Sequence, residues 1–356
     1  MGEPVNPKPL VSVSVPVYNH APYVRECLDS ILAQKTNFPF EVIVHDDAST
    51  DGSAEIVKEY AEKHPDIIVP ILQTENQYSQ GIKAGPKYIW PLLRGKYRAS
   101  CEGDDYWHSP DKLQRQVEIM ENDPEVSLAC TDADAFIQKT GRRVHDILGR
   151  QGMLEKVANT TDMTASLLKR DIGLLTCSFL MRTEDFLEIR QENKHEFSTY
   201  FKMGDVQTRW ELSRLGRIVV IPESMVTYRV LEESASHSAD RMKTFEFYAN
   251  SLELHEHYVK KFGYGKEMLN AVRRAHYGIF LDVALRLKRE DLRLRSLEVI
   301  GKVPTVVTLP DRIMAWSAEF PMRFKMLSAV WPAVAFGCKM LRGIDRRLQA
   351  IWREMK

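Results

Sequence analysis

Leu10–His20 reads LVSVSVPVYNH and Phe40–Ser53 reads FEVIVHDDASTDGS. The first stretch sets valine at every second position from Val11 to Val17, the period of a strand, and then breaks into a polar loop. The second is a short apolar run of the kind buried in a parallel sheet, and it breaks into a loop rich in Asp and Ser. Between them Pro22 suits the first turn of a helix, whose apolar face is Val24, Cys27, Leu28, Ile31 and Leu32. Strand, helix and strand in this order make a parallel βαβ unit.

Outward from this unit the alternation continues. Ile56, Val57, Tyr60 and Ala61 mark a second helix, and Ile67–Leu72 and Tyr97–Cys101 read as the third and fourth strands. Ser109 is placed to cap a helix with Pro110 at its first position and Leu113, Val117 and Met120 inside. Val126–Thr131 reads as a fifth strand. The fold class expected is α/β, a mostly parallel sheet flanked by helices on both faces. In such sheets ligands bind beyond the carboxyl ends of the strands. Three polar loops lie there: Tyr18-Asn19-His20, His45-Asp46-Asp47-Ala48-Ser49 and Glu102-Gly103-Asp104-Asp105. Further on, Val206, Trp210, Leu212 and Leu215 give a helix, Gly216 ends it, and Ile218–Ile221 reads as a strand. From about Thr244 the pattern is helical, so residues 1–242 are expected to form the catalytic domain and 243–356 a helical extension.

Composition excludes several classes. The 49 Lys and Arg balance 49 Asp and Glu, without the basic excess that a general nucleic-acid binder needs. No run approaches the roughly 18 apolar residues of a membrane span. The opening MGEPVNPKPLV lacks a basic segment followed by an apolar one, and the five scattered cysteines form no CxxC pair. These features predict a cytoplasmic, reduced chain without a signal peptide. GxGxxG, GxxxxGK[ST] and GxSxG are all absent. His255-Glu256-His257 is not HExxH and is expected on a helix surface.

The remaining chemistry lies in carboxylates at strand ends. Three acids within Glu102–Asp105 repel one another and call for a positive partner. Mg²⁺ or Mn²⁺ suits oxygen ligands and leaves positions for phosphate oxygens, with Gly103 letting the backbone come close. A solvated acidic loop is the other reading, and the residues alone leave both open. In the second loop Asp51 or Ser53 reads as a helix cap, and an Asp at the end of the apolar strand can accept a base N–H or a ribose hydroxyl.

VSVSVPVYNHAPYVRECLDSIL, FEVIVHDDASTDGS, YRASCEGDDYWHSPDKLQRQV, MGDVQTRWELSRLG and MVTYRV follow one another between residues 10 and 240. Together they resemble family 2 glycosyltransferases, which have the GT-A fold. The resemblance implies a nucleotide-sugar donor, most simply a UDP-sugar, and a divalent cation. It sets Pro16, Val17 and Tyr18 beside base and ribose, and Asp47 against the nucleobase. Glu102-Gly103-Asp104 matches the family's DxD, with Glu in place of the first Asp. It implies a ribose-facing Glu102, a metal ligand at Asp104, and an Asp105 that supports it or binds sugar hydroxyls. Gly204-Asp205 matches the pair that carries the catalytic base, and as residues alone it reads as a helix cap. Gln207-Thr208-Arg209-Trp210 is similar to the QxxRW element of processive members. It stands two residues after Asp205 rather than well downstream, and reads as plain helix. The resemblance also makes His237 a candidate metal or phosphate contact, against the plainer reading of an exposed loop histidine.

The resemblance thus implies an inverting, metal-dependent transferase acting on a glycan or lipid-linked acceptor in surface-polysaccharide or lipid-linked glycan synthesis. Its rivals are a nucleotidyltransferase, which would show a basic Gly-rich loop near its start, and a non-catalytic nucleotide-sugar-binding protein. Beyond the resemblance, residues 320–356 hold eight Lys and Arg against two Asp and Glu around the apolar run LSAVWPAVAFGC. This combination suits an anionic membrane surface on the inner face, with Trp316, Trp331 and Trp352 suited to headgroups. It also suits a helix packed on its own chain or on a second copy in a homo-oligomer.

Overall fold

The computed structural model describes residues 8–194, 196–197, 201, 203–232, 240–300, 313, 317–318 and 320–335. Strands β1 (Val11–Val17), β2 (Phe40–Asp46), β3 (Ile68–Leu72) and β4 (Tyr97–Ser100) lie parallel in the order β3-β2-β1-β4. Pro70 is tolerated in β3 because that strand is the sheet's edge. The other half is mixed. β7 (Leu180–Arg182) runs antiparallel between β4 and β5 (Val126–Ile137), β6 (Arg142–Val144) folds back on β5, and β8 (Arg217–Val230) pairs with β5 in parallel. Six of the eight described strands therefore point one way, and the α/β, mostly parallel architecture expected from the sequence is present.

The alternation in β1 explains how the sheet is sandwiched. Val11, Val13, Val15 and Val17 join a core with Val24, Cys27, Leu28 and Ile31 of α1 (Val24–Leu32) and Leu113, Val117 and Met120 of α3 (Lys112–Asn122). The intervening serines are buried on the opposite face, where their hydroxyls are satisfied. Ser12 Oγ donates to Glu41 Oε1 at 2.6 Å and accepts the Gly95 N–H at 2.8 Å, while Arg94 Nε donates to Glu41 Oε2 at 2.8 Å. A buried polar layer is stable only when paired in this way.

Ser109 does not cap α3, which begins two residues after Pro110. The Ser109 N–H and carbonyl are taken by Met225 O at 3.2 Å and Gln34 Nε2 at 2.8 Å. The Leu113 N–H at the helix start is instead accepted by Gln34 Oε1 at 3.0 Å. A distant side chain has replaced the local cap.

Lys112, the first residue of α3, is 0% exposed. Its Nζ lies 4.0 Å from the centre of the Trp107 ring and donates to Gln116 Oε1 at 2.8 Å. Burial lowers its ammonium pKa to about 8. Unfolded, the group titrates near 10.4, so between these values the unfolded chain binds more protons and stability rises with pH. Lys112→Met removes that term. Urea unfolding at successive pH values is expected to show the parent gaining about 3 kcal/mol on the variant from about pH 8 to 10.5. A parent–variant difference that is flat with pH contradicts a desolvated ammonium.

The chain divides into two units. One holds the sheet and comprises the described residues up to Leu167 together with Asp171–Glu232. It also contains α2 (Ser53–Lys63), α4 (Ile147–Arg150), α5 (Met153–Asn159), most of α6 (Met163–Leu168), α7 (Thr183–Glu192) and α8 (Gly204–Leu215). The other holds α9 (Arg241–Lys261), α10 (Lys266–Leu287), α11 (Glu290–Ile300) and a helix over residues 321–335. Asp240 caps α9 by accepting the Met242 N–H at 2.8 Å.

Two expectations for this unit are corrected. His255 is not on a helix surface but 4% exposed, edge-on to His276 with ring centroids 4.7 Å apart. Each imidazole donates from Nδ1 to the carbonyl four residues earlier, at 2.7 Å to Ser251 and 2.9 Å to Val272, which allows both rings to be buried. Trp331 is no headgroup anchor: it is buried and its Nε1–H donates to Asp282 Oδ1 at 2.8 Å. Trp316 and Trp352 lie outside the described residues. Among the described residues no helix is long and apolar enough to cross a membrane.

Candidate active site

The loops after β1 and β2 are sewn together by the short polar side chains that the sequence places there. The Asn19 N–H donates to Ser49 Oγ, the Thr50 N–H to Asn19 Oδ1, the His20 N–H to Ser53 Oγ and the Ala21 N–H to Asp51 Oδ2, each at 2.9 Å. Asp51 Oδ1 also accepts the Ser53 N–H at the start of α2, at 3.1 Å, from one residue before Gly52, which holds the N-cap position itself. Asn19 sits at φ 54°, a left-handed conformation that Asn tolerates better than most residues. The run DDASTDGS thus builds one rigid rim from two loops.

Pro16 and Val17 end β1, and Tyr18 projects from it, 48% exposed. Asp47 stands beside them, since its N–H donates to Val17 O at 3.0 Å. Its carboxylate is already engaged: Oδ1 accepts the Gln77 N–H at 2.8 Å and Oδ2 the Tyr78 N–H at 3.1 Å. Asp47 therefore also anchors the loop after β3, and that loop lifts Tyr78 out of the surface, 77% exposed. Each carboxylate oxygen keeps a second lone pair for a base N–H.

The acidic loop after β4 presses against the first loop. The Gly103 N–H donates to Pro16 O at 3.0 Å, and a Cβ at this position would lie 2.9 Å from His20 Nδ1 and 3.0 Å from Val17 Cγ2. Glycine is required here by the close approach of protein to protein. Asp104 Oδ1 lies 3.9 Å from His20 Nδ1, a buried nitrogen with no hydrogen-bond partner. Burial lowers the His20 pKa, against the pull of Asp104, Asp51 and Asp46. Glu102 points towards the same space. Burial raises its carboxyl to about 7, and the charges of Asp104 and Asp205 push it the same way.

Of the two roles implied for Asp105, sugar binding does not match its placement. Asp105 is 2% exposed and its Oδ1 accepts the Arg229 N–H at 2.8 Å, so it does not face a sugar. Burial, then Glu102 and Asp104, push its carboxyl well above the usual range. Arg229, which the sequence reading passed over, is the clamp of this loop. Its Nε donates to Asp104 O at 2.7 Å and its Nη1 to Gln138 Oε1 at 2.7 Å, while Nη2 donates to Glu26 Oε2 of α1 at 2.5 Å. Its guanidinium lies 4.7 Å from the centre of the Tyr23 ring. One side chain thus ties β5, β8, α1 and the acidic loop together. The signal in the sequence was a lone arginine in the strand-like run MVTYRV, and without a partner in sight it read as strand.

Asp205 approaches from α8. It occupies the first helical turn but accepts no backbone N–H among the described residues, so it is not the cap that its residues alone suggested; the Thr176 hydroxyl lies 3.4 Å from its Oδ2. Asp205 is exposed. The helix start is held from behind by Arg190, whose Nη2 donates to Gly204 O at 3.1 Å and Thr208 Oγ1 at 2.7 Å. Gln207 and Trp210 are fully buried and Arg209 donates to Leu174 O at 2.7 Å, so QTRW is packing.

The structure therefore brings together Pro16–Tyr18, Asp47, Glu102–Asp104 and Asp205, with Asp105 behind them. His237 lies outside the described residues. Among the described residues no three His, Cys, Asp or Glu side chains converge on one point. A cation here would take Asp104 as its protein carboxylate and fill its other positions with diphosphate oxygens and water, a normal mode for Mg²⁺. The hard oxygen donor of Asp104 fits Mg²⁺ or Mn²⁺, and the unpartnered His20 nitrogen 3.9 Å from it suits Mn²⁺ rather than Mg²⁺.

Comparison with known proteins bears on the family and the fold. Residues 12–189 match the family described as Glycosyl transferase family 2. The uncharacterized protein Rv1520 of Mycobacterium tuberculosis is 34% identical over 242 residues, 67% of this chain and 63% of its own length. The chain thus matches less than two thirds of that relative. Chondroitin synthase of Escherichia coli is 27% identical over 199 residues, 56% of this chain and 27% of that protein. Among solved structures, residues 1–349 of S. aureus TarS in complex with UDP-GlcNAc superpose with a TM-score of 0.63 at 17% identity, covering 91% of each chain. The shared fold is GT-A.

Proposed function

The chain belongs to glycosyltransferase family 2, and from that premise we propose that it moves a sugar from a nucleoside-diphosphate donor to an acceptor hydroxyl with inversion at the anomeric carbon. The observation that carries this reading is Asp205, exposed at the start of α8 and near enough to the acidic loop for its charge, with that of Asp104, to raise the Glu102 carboxyl. The β1 and β2 loops hold the nucleoside: Tyr18 borders base and ribose, and Asp47 accepts the base N–H while it anchors the Gln77-Tyr78 loop. Glu102 faces the ribose. Asp104 holds Mn²⁺ or Mg²⁺, which when bound supplies the positive charge that stabilises the leaving diphosphate.

Asp205 takes the proton of the acceptor hydroxyl as the oxygen attacks the anomeric carbon. One displacement from the face opposite the diphosphate inverts the configuration. No second carboxyl acid is needed, unlike hydrolysis of a glycosidic bond, because the leaving group departs as an anion. TarS in complex with UDP-GlcNAc favours a UDP-sugar donor, and chondroitin synthase among the relatives favours a glycan acceptor, free or lipid-linked, in polysaccharide synthesis.

The experiment is a donor screen. Purified chain is incubated with UDP-, GDP- and dTDP-sugars, with Mn²⁺ and with chelator, and nucleotide release is followed. One donor family is expected to be hydrolysed slowly in Mn²⁺ and not in chelator. If no nucleotide sugar is bound or cleaved, or cleavage ignores the chelator, the metal-assisted reading fails.

A further inference from the structure

The helix over residues 321–335 is apolar on two opposite faces. One face is packed inside its own unit: Phe324, Ser328 and Trp331 are each 3% exposed. The other carries Met322, Met326 and Val330, which are 76%, 69% and 53% exposed. The spacing of four makes these three a single stripe along the helix, and Ala329 and Ala333 widen it. Phe320, 52% exposed, stands just before the helix. Large apolar side chains scattered singly over a surface are ordinary, but a contiguous stripe is the mark of a contact site.

The chemistry around the stripe selects the partner. Residues 320–335 contain Arg323 and Lys325 and no Asp or Glu. Lys325 is exposed beside the stripe, and Arg323 lies over the Phe320 ring, 4.3 Å from its centre. Downstream the sequence adds Lys339, Arg342, Arg346, Arg347, Arg353 and Lys356 against Asp345 and Glu354. A two-fold contact with a second copy would set this basic edge against itself, which electrostatic complementarity disfavours. A surface of anionic lipid headgroups over acyl chains matches both the charge and the stripe.

We propose that Phe320, Met322, Met326 and Val330 insert into an anionic lipid surface, with Arg323 and Lys325 at the headgroups. The residues differ from those that composition alone would choose, because Trp331 faces inward to Asp282. The proposal does not depend on the sugar-transfer reading, and its test reads binding without turnover.

The test is sedimentation of the full chain with vesicles of phosphatidylcholine alone or mixed with phosphatidylglycerol. Deleting residues 320–356 would remove the buried Phe324 and Trp331, so point variants are used instead. Met322→Glu with Met326→Glu changes two largely exposed positions, and an unchanged melting temperature checks that the fold is kept. The parent is expected to bind the phosphatidylglycerol vesicles and to lose roughly ten-fold in binding from about 50 mM to about 500 mM salt. The double variant is expected to bind roughly ten-fold more weakly at low salt. Three results overturn the proposal: a parent that ignores anionic vesicles at low salt, a double variant that binds like the parent, or a parent dimer that the double variant turns into monomer. The last assigns the stripe to a second copy of the chain.

Discussion

Asp104→Asn is expected to abolish sugar transfer, lowering turnover by roughly 10²-fold or more, while the chain folds and melts as the parent does. The substitution keeps the shape of the side chain and removes its charge. Of the acids in the loop after β4, Asp105 is turned inward onto the Arg229 N–H, and of the remaining two, Glu102 and Asp104, it is Asp104 whose carboxylate lies beside the unpartnered nitrogen of His20. Arg229 holds the loop through the Asp104 carbonyl rather than its carboxylate, so the backbone stays in place when the charge is lost. The measurement independent of turnover is Mn²⁺ binding in the presence of nucleoside diphosphate, read from the free-ion electron paramagnetic resonance signal. The variant should leave most of the ion free where the parent takes it up. A variant that binds Mn²⁺ and turns over like the parent would move the cation away from Asp104.

The half of the fold that carries the site was legible because its signals are local. Alternating valines in β1, the apolar run of β2 and polar loops at both ends define a parallel βαβ unit without reference to anything distant. The rim was legible for the same reason: Asn19, Ser49, Thr50, Asp51 and Ser53 are short polar residues whose partners lie in the neighbouring loop. What escaped depends on contacts far apart in sequence. β7 is three residues long, too short for a period to show, yet it separates β4 from β5. Asp105, implied to support Asp104 or to bind sugar hydroxyls, is held by the N–H of Arg229, more than a hundred residues away. Ser109 looked like a cap until Gln34 of another segment took that place. His255 and Trp331 look like surface groups in sequence and are buried by partners on α10. In each of these residues the sequence states what the side chain can bond to, and only the tertiary structure states which bond is made.

Asp205→Asn separates binding from chemistry. Asp205 stands on α8, apart from the β1, β2 and β4 loops that would hold the donor, so the amide should leave nucleotide affinity close to that of the parent. The helix start is secured by Arg190 through Gly204 O and Thr208 Oγ1, neither of which is touched, and the Thr176 hydroxyl can still meet an amide oxygen. What the amide cannot do is take a proton from the attacking hydroxyl. Turnover is therefore expected to fall by the roughly 10²–10⁴ that general base catalysis supplies, with the donor KM and the Kd for nucleoside diphosphate nearly unchanged. Slow hydrolysis of the donor should fall with it if Asp205 also activates the water. The converse pattern, lost donor affinity with turnover retained, would place Asp205 among the donor contacts and require another base. The pairing with Asp104→Asn is what makes the result decisive: one acid should govern uptake of the cation and the other only the rate, although the charges of both act on Glu102.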